Sequence, residues 1–201
     1  MKAPTDEQLL QEFLAGKASS FELLVRRYTQ ELYQFVFRFT GTSVAAEDVV
    51  QETLLQVHHS AAQFDASRRL KPWVFTIAAN KARDHLRRQS RRREVPFDAP
   101  VGGSEESGQR FIDLLGSEES PPEEELELDE RRRLVRTVMA TMPEQLREVL
   151  ILAYYHRFPY KEIASVVGIP LGTVKSRLHA AVLYFGRRYR EAASASVRER
   201  P

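Results

Sequence analysis

Residues 160–179, YKEIASVVGIPLGTVKSRLH, carry the pattern that decides how this chain folds. Ile163, Val167, Ile169, Val174 and Leu178 are apolar at the positions where two short helices joined by a turn must pack. Ala164 is small where those helices approach, and Gly168 can enter the left-handed conformation the turn requires. The pattern predicts a helix over 160–167, a turn at Gly168-Ile169-Pro170, and a second helix from Gly172 to about Tyr184: a helix-turn-helix. Val174, Leu178 and Ala181 repeat at i, i+4 and i+7 and face the core. Lys175, Ser176 and His179 then face outward, with Thr173 at the start of the helix and Arg177 further round. This polar, basic set suits a major groove. Upstream, residues 129–140 and 143–155 read as two further helices.

Working outward, the composition is that of a water-borne helical protein. Of 201 residues, 42% are hydrophobic and 29% charged, glycine is sparse, and Leu, Ala, Glu, Gln and Arg dominate the longer stretches. Cysteine is absent, which excludes disulfides and thiolate metal sites. No apolar stretch approaches the roughly 20 residues of a membrane span, and the polar start (Thr5, Asp6, Glu7) does not read as a signal peptide, so residence in the cytoplasm is expected. The net charge of +2 hides a strong segregation. Residues 66–93 hold ten Lys and Arg against one acid, residues 94–130 thirteen acids against one Arg, and residues 131–190 twelve bases against three acids. Two basic blocks on an acidic tether suit two polyanion-binding modules, although solvated helix faces beside a linker would give the same counts.

The amino-terminal part divides into four helices. Thr5 with Gln8, and Ser19 with Glu22, have the spacing of capping boxes, predicting helices over 6–15 and 20–39 that stop at Gly16 and Gly41. A third helix over 44–62 puts Val50, Leu54, Val57 and Ala61 on its core face and Asp48, Glu52, Leu55 and His59 opposite. An outward leucine between carboxylates is a candidate docking stripe for a basic partner. His58 and His59 point in different directions, which argues against a metal site. After a basic loop, 65–71, Pro72 suits the first position of a fourth helix running to about Arg88. There Phe75, Ala79, Ala82 and Leu86 form a buried stripe, while Thr76, Asn80, Arg83 and Arg87 line another. An amide with guanidiniums in a row can read base edges and hold phosphates. From Glu94 to about Leu128 periodicity is lost among prolines, glycines and acids, so the stretch reads as a flexible acidic linker.

The order of these elements is recognisable. AEDVVQETLLQVHHSAAQFD (46–65) and KPWVFTIAANKARDHLRR (71–88) resemble the second region of extracytoplasmic-function RNA polymerase sigma factors, and MPEQLREVLILAYYHRFPYKEIASVVGIPLGTVKSRLHAA (142–181) is similar to their fourth region. The resemblance implies an all-α protein of two small helical domains: a region-2-like domain over 1–93, the acidic linker over 94–128, a region-4-like helix-turn-helix domain over 129–190, and a tail over 191–201. It implies that Asp48, Gln51, Glu52 and Leu55 bind the β′ clamp helices of core polymerase. Phe64 and the basic loop after it, with its Arg68 and Arg69, would capture flipped bases of the minus-ten element together with Asn80 on the next helix; Arg83, Arg87 and Arg88 would hold its backbone, and Thr76 belongs to the same minus-ten set. Thr173, Lys175, Ser176, Arg177 and His179 would face the minus-thirty-five duplex. Further partners implied are the β flap and an anti-sigma factor, with no cofactor, metal, small-molecule substrate or catalytic residue of its own. Two residues depart from the family's pattern: Ala180 stands where an arginine is frequent, and Pro159 where a serine or threonine caps the first helix of the motif. Two other classes compete. A helix-turn-helix regulator that binds duplex operators without polymerase leaves the Asn80 and Leu55 stripes unexplained. A nucleic-acid-processing enzyme needs clustered acids, whereas Asp84 is a lone acid in a basic helix, suited to pairing with Arg87 or Arg88.

Overall fold

A computed structural model describes the backbone of residues 3–93 and 122–198 and the side chains of residues 3–91 and 131–194; the expected linker falls mostly outside the described residues. Among the described residues the chain is helical, without strands. The first helix, α1 (Asp6–Leu14), opens on the expected capping box: Gln8 N donates to Thr5 Oγ1 at 3.2 Å and Thr5 N to Gln8 Oε1 at 2.9 Å. The second box does not form. Helix α2 (Ala18–Thr40) begins before Ser19, capped by Lys17 without a side-chain bond, because Glu12 of α1 draws Lys17 Nζ (2.8 Å) and Ser20 Oγ (2.5 Å) to itself. A left-handed Gly41 (φ 86°) ends α2. Thr42 then caps α3 (Ser43–Ser60), which tightens into a 3₁₀ turn at Ala61–Gln63.

Helix α4 spans Leu70–Arg93, starting two residues before Pro72 and outlasting its expected end. Proline is tolerated there because the first four N–H groups of a helix have no intrahelical acceptor. The Leu70 N–H is taken up instead by Glu7 Oε1 at 2.9 Å, which ties α4 to α1. These helices enclose a core whose largest members, Phe35, Phe39 and Phe75, are completely buried.

The carboxy-terminal unit starts with α5 (Pro122–Thr141), seven residues ahead of the expected start: Pro122 opens a helix where it had read as linker punctuation. Helix α6 (Glu144–Leu150) runs into a π turn at Ile151–Tyr155, closed by His156 N to Ile151 O at 3.3 Å. Then come α7 (Tyr160–Val167) and α8 (Leu171–Arg198), joined through a left-handed Gly168 (φ 73°) as the turn requires. Helix α8 continues well beyond the expected end at Tyr184, through most of the expected tail. Tyr184 donates to Thr141 O at 2.6 Å and so pins α8 to the end of α5.

The two units do not merely share a chain. Helix α4 lies against α7, and α2 against the π turn, so that one hydrophobic cluster runs through both.

Candidate nucleic-acid interface

The polar stripes expected from periodicity lie at the surface, with some of their members half-buried. On α3, Asp48, Gln51, Glu52 and Leu55 are exposed, whereas Val49, Val50, Thr53 and Val57 are buried. Leu54, expected in the core, is only half-buried. Leu55 is 60% exposed, on the same face as Asp48 and Glu52. Glu52 also receives Lys81 of α4 at 3.3 Å, which fixes the stripe relative to the next helix.

On α4, Val74, Phe75, Ala78, Ala79 and Ala82 are buried, and the opposite side carries the polar stripe. Asn80 is exposed, and its Oδ1 accepts from Arg83 Nη2 at 2.7 Å. That bond leaves both amide N–H groups directed outward as donors. Thr76 is half-buried and donates to Pro72 O at 2.8 Å, so its hydroxyl hydrogen is already committed. Asp84 pairs with Arg87, as its isolation in a basic helix suggested. Arg88 is exposed. At the start of α4, Phe64 is half-buried with its ring 5.1 Å from that of Trp73. Asp65 shapes the loop between them by accepting from Ser67 N and Oγ; those bonds, with Arg68 nearby, hold its carboxyl below the usual range. Arg68 and Arg69 are exposed, so loop and helix form one basic surface.

On α8, Val174, Leu178 and Ala181 are buried, Lys175, Ser176 and His179 exposed, and Thr173 and Arg177 half-buried. Ser176 donates to Thr173 O at 3.1 Å and keeps its lone pairs for an incoming donor. Pro159 caps α7 without a side-chain bond, as its identity dictates.

Sequence reasoning missed a third set of residues, those between the units. Arg157 sits at φ 53°, a left-handed conformation that costs a non-glycine residue about 1–2 kcal/mol, and the bend delivers Phe158 inward. Phe158 is 5% exposed and meets Phe75 of α4 edge-on, centroids 4.9 Å apart. His156 packs on Phe75 (5.0 Å) and Phe35 (5.8 Å). Burial pushes its imidazole down to about 4, with Lys71 and Arg38 adding to the effect. Lys71 lies over Phe75 and Phe158, Arg147 over Phe39, and Arg38 over Tyr155. Two ion pairs cross the seam: Arg69 Nη1 to Glu162 Oε1 at 2.6 Å, and Arg83 Nε to Glu148 Oε1 at 3.6 Å. Burial pushes the Glu148 carboxyl up to about 7 against the pull of Arg83 and Arg177. The apolar Phe158 amid HRFPY was the available signal, but periodicity assigns no partner to a residue between helices.

Among the described residues no three His, Cys, Asp or Glu side chains gather as a metal site, and no helix is long and apolar enough to cross a membrane. The Sigma-70 region 2 family matches residues 24–92 and the Sigma-70 region 4 family residues 132–185. The RNA polymerase sigma-H factor of Pseudomonas aeruginosa is 31% identical over 88% of this chain and 89% of its own. The ECF RNA polymerase sigma factor SigL of Mycobacterium tuberculosis is 36% identical over 84% and 88%. The chain belongs to the extracytoplasmic-function RNA polymerase sigma factors. Two solved structures share its fold: the sigma factor RpoE of Bartonella quintana in complex with the anti-sigma factor NepR, and CnrH in complex with the cytosolic domain of CnrY. Both have a TM-score of 0.62, at 21% and 23% identity, covering 85% and 90% of this chain and 96% and 95% of theirs. In this sigma factor the region 2 match takes in the α3 stripe and almost all of α4, and the region 4 match takes in α6, α7 and the outward face of α8.

Proposed function

We propose that this sigma factor divides promoter recognition between its two units, with the α3 stripe as the handle for core polymerase. Asp48, Gln51, Glu52 and Leu55 bind the β′ clamp helices. Phe64, Arg68, Arg69, Thr76 and Asn80 capture unstacked bases of the minus-ten strand, while Arg83, Arg87 and Arg88 hold its phosphates. Thr173, Lys175, Ser176, Arg177 and His179 meet the minus-thirty-five duplex, with the region 4 unit docked on the β flap. The observation that carries this reading is Asn80: an exposed amide with two free donors, on a helix whose other side is sealed in the core. In the free chain these donors face water, which the edge of an unstacked base can replace. Capture of each flipped base offsets an unstacking cost of about a few kcal/mol.

The same reading makes the chain a non-catalytic subunit of the cytoplasm, leaving nucleotidyl transfer to the polymerase. An anti-sigma factor as a further partner is supported by the two fold neighbours, each named in complex with a further protein, called an anti-sigma factor in the first. Run-off transcription with bacterial core polymerase on the chain's own upstream region tests the whole. Transcripts that depend on the added protein are expected. Tight operator binding by the free chain, without polymerase-dependent transcripts, would identify a duplex-binding regulator instead.

A further inference from the structure

We infer that Glu7 of α1 is a positioning residue for minus-ten recognition: its carboxylate caps α4 from another helix and so fixes the exit of the basic loop. This rests on the minus-ten assignment proposed above, to which it adds a residue outside the DNA-binding set. Helix α1 lies ahead of the region 2 match over residues 24–92, and none of its residues belongs to that set. It packs against both ends of the loop, the 3₁₀ turn at Ala61–Gln63 before it and the start of α4 after it.

The loop cannot cap the helix it leads into. The first N–H groups of a helix need acceptors, usually from a Ser, Thr, Asp or Asn just before it. That place is held by Arg69, preceded by Arg68, and a guanidinium has donors only. Asp65, the acid of the loop, is engaged within it, accepting from Ser67 N at 3.0 Å and from Ser67 Oγ at 2.7 Å. A loop that keeps cations for DNA therefore takes its cap from outside. Glu7 supplies it, its Oε1 accepting from Leu70 N at 2.9 Å across 63 positions of sequence. Leu70 is completely buried, so water does not stand in for that partner. A carboxylate at a helix start also meets the positive end of the helix dipole.

The bond accounts for where α4 begins. Pro72 suits the first position of a helix, yet α4 starts at Leu70. With its N–H held by Glu7, Leu70 is wound into the helix together with Lys71, and the loop is shorter by those two residues. At the loop's entry Phe64 is fixed against Trp73, and within it Arg68 N donates to Asp65 O at 2.9 Å. At its exit Glu7 fixes the backbone itself. Glu7 is held in turn by its own helix. Its neighbour Asp6 accepts from Arg27 Nη1 and from the Tyr28 hydroxyl of α2, each at 2.6 Å, and Leu9 and Leu10 are buried. Successive carboxylates thus join α1 to α2 and to α4, and together they set where the loop presents Arg68 and Arg69.

The test uses the full chain, free and assembled with core polymerase. Glu7→Asp keeps the charge but falls one methylene short of Leu70, whereas Glu7→Gln keeps the reach and an accepting Oε1 without the charge. Holoenzyme binding to fork-junction promoters with single-base changes in the minus-ten strand measures discrimination. Glu7→Asp and Glu7→Ala should lower it by up to about tenfold, the shift in loop position that loss of one charge-assisted hydrogen bond allows. Glu7→Gln should retain most of it, and affinity for core polymerase should be unchanged in all three. In the free chain, amide hydrogen exchange in Glu7→Asp should quicken at Leu70 and stay as in wild type at Val57, in the core face of α3. Gln11→Ala, exposed on α1, should change none of these quantities. If Glu7→Ala fails to fold, the Asp and Gln variants decide between them. The positioning role is overturned if Glu7→Asp leaves Leu70 exchange as in wild type, or quickens it without loss of discrimination. Equal losses in Glu7→Asp and Glu7→Gln, or a loss of core affinity alongside that of discrimination, would overturn it as well. Phe64→Ala in holoenzyme tests the loop assignment separately. Unchanged discrimination there removes that assignment and the role of Glu7 with it, whereas a loss in Phe64→Ala without one in Glu7→Asp overturns the role of Glu7 alone.

Discussion

Truncating Leu55 to alanine isolates the apolar part of the polymerase contact. Full burial of a leucine side chain is worth about 1.5–3 kcal/mol, and Leu55 is 60% exposed in the free chain, so docking can recover roughly that share, about 1–2 kcal/mol. Affinity for core polymerase should fall about 5- to 30-fold, since about 1.4 kcal/mol corresponds to a factor of ten. Stability should be unaffected within about 0.5 kcal/mol, because the side chain leaves no cavity behind. Adding Asp48→Arg on the same stripe reverses a charge facing a basic partner and should abolish association. Surface plasmon resonance on immobilised core polymerase measures the first effect, and thermal unfolding measures the second. An unchanged dissociation constant for Leu55→Ala refutes the docking stripe. A weakened complex accompanied by a large drop in melting temperature refutes the argument from exposure.

Three further outcomes are expected. Asn80→Ala should impair promoter opening, read by permanganate reactivity of the melted strand, more than closed-complex formation, read by footprinting; equal losses would reject base capture. On α8, alanine at Lys175 or His179 should cost about 1–3 kcal/mol against the correct minus-thirty-five sequence and relax preference at particular base pairs. Arg177→Ala should weaken all sequences alike and reduce the salt slope by about one phosphate contact, and binding to single-base promoter variants at several salt concentrations separates the two. Glu148 and His156 should titrate against each other. The raised carboxyl, facing Arg83, Arg177 and Glu144, makes stability fall from its ordinary 4.5 up to about 7. The depressed imidazole, facing Lys71 and Arg38, makes stability rise with pH from about 4 to its ordinary 6.5. Their shared window is thus nearly flat in wild type, and Glu148→Gln should expose a rise with pH below 6.5 in denaturant titrations. A Glu148→Gln profile parallel to wild type would show that the two groups are not opposed.

The legible part of this protein is whatever a helix dictates to residues three and four positions away. Thr5 and Gln8 set the first cap, Gly41 and Gly168 the turns, and the buried alanines of α4 the face opposite Asn80. Ser19 and Glu22 have the same spacing as Thr5 and Gln8, yet form no cap, because Glu12 offers Lys17 and Ser20 a tertiary partner. Pro72 and Pro122 misplace two helix starts for a related reason. A proline permits the first turn without specifying which of its positions it takes.

The seam between the units was not legible, and the cause is physical. Phe75 reads correctly as core from its own helix, but nothing local reveals that its ring serves two cores at once, meeting Phe35 on one side and Phe158 on the other. No local pattern singles out Glu148, and only the fold sinks it to 2% exposure within the influence of arginines from both units. Charge counting shows the two basic blocks without showing which residues of one meet the other. Two basic modules in one chain repel unless acids stand between them, and acids lie within the second basic block as well as in the linker. Of the three acids within the second basic block, Glu162 faces Arg69 of the basic loop and Glu148 faces Arg83 of α4. An isolated acid in a basic unit is therefore a candidate for an ion pair with a second basic unit of the same chain, as Glu148 and Glu162 are here.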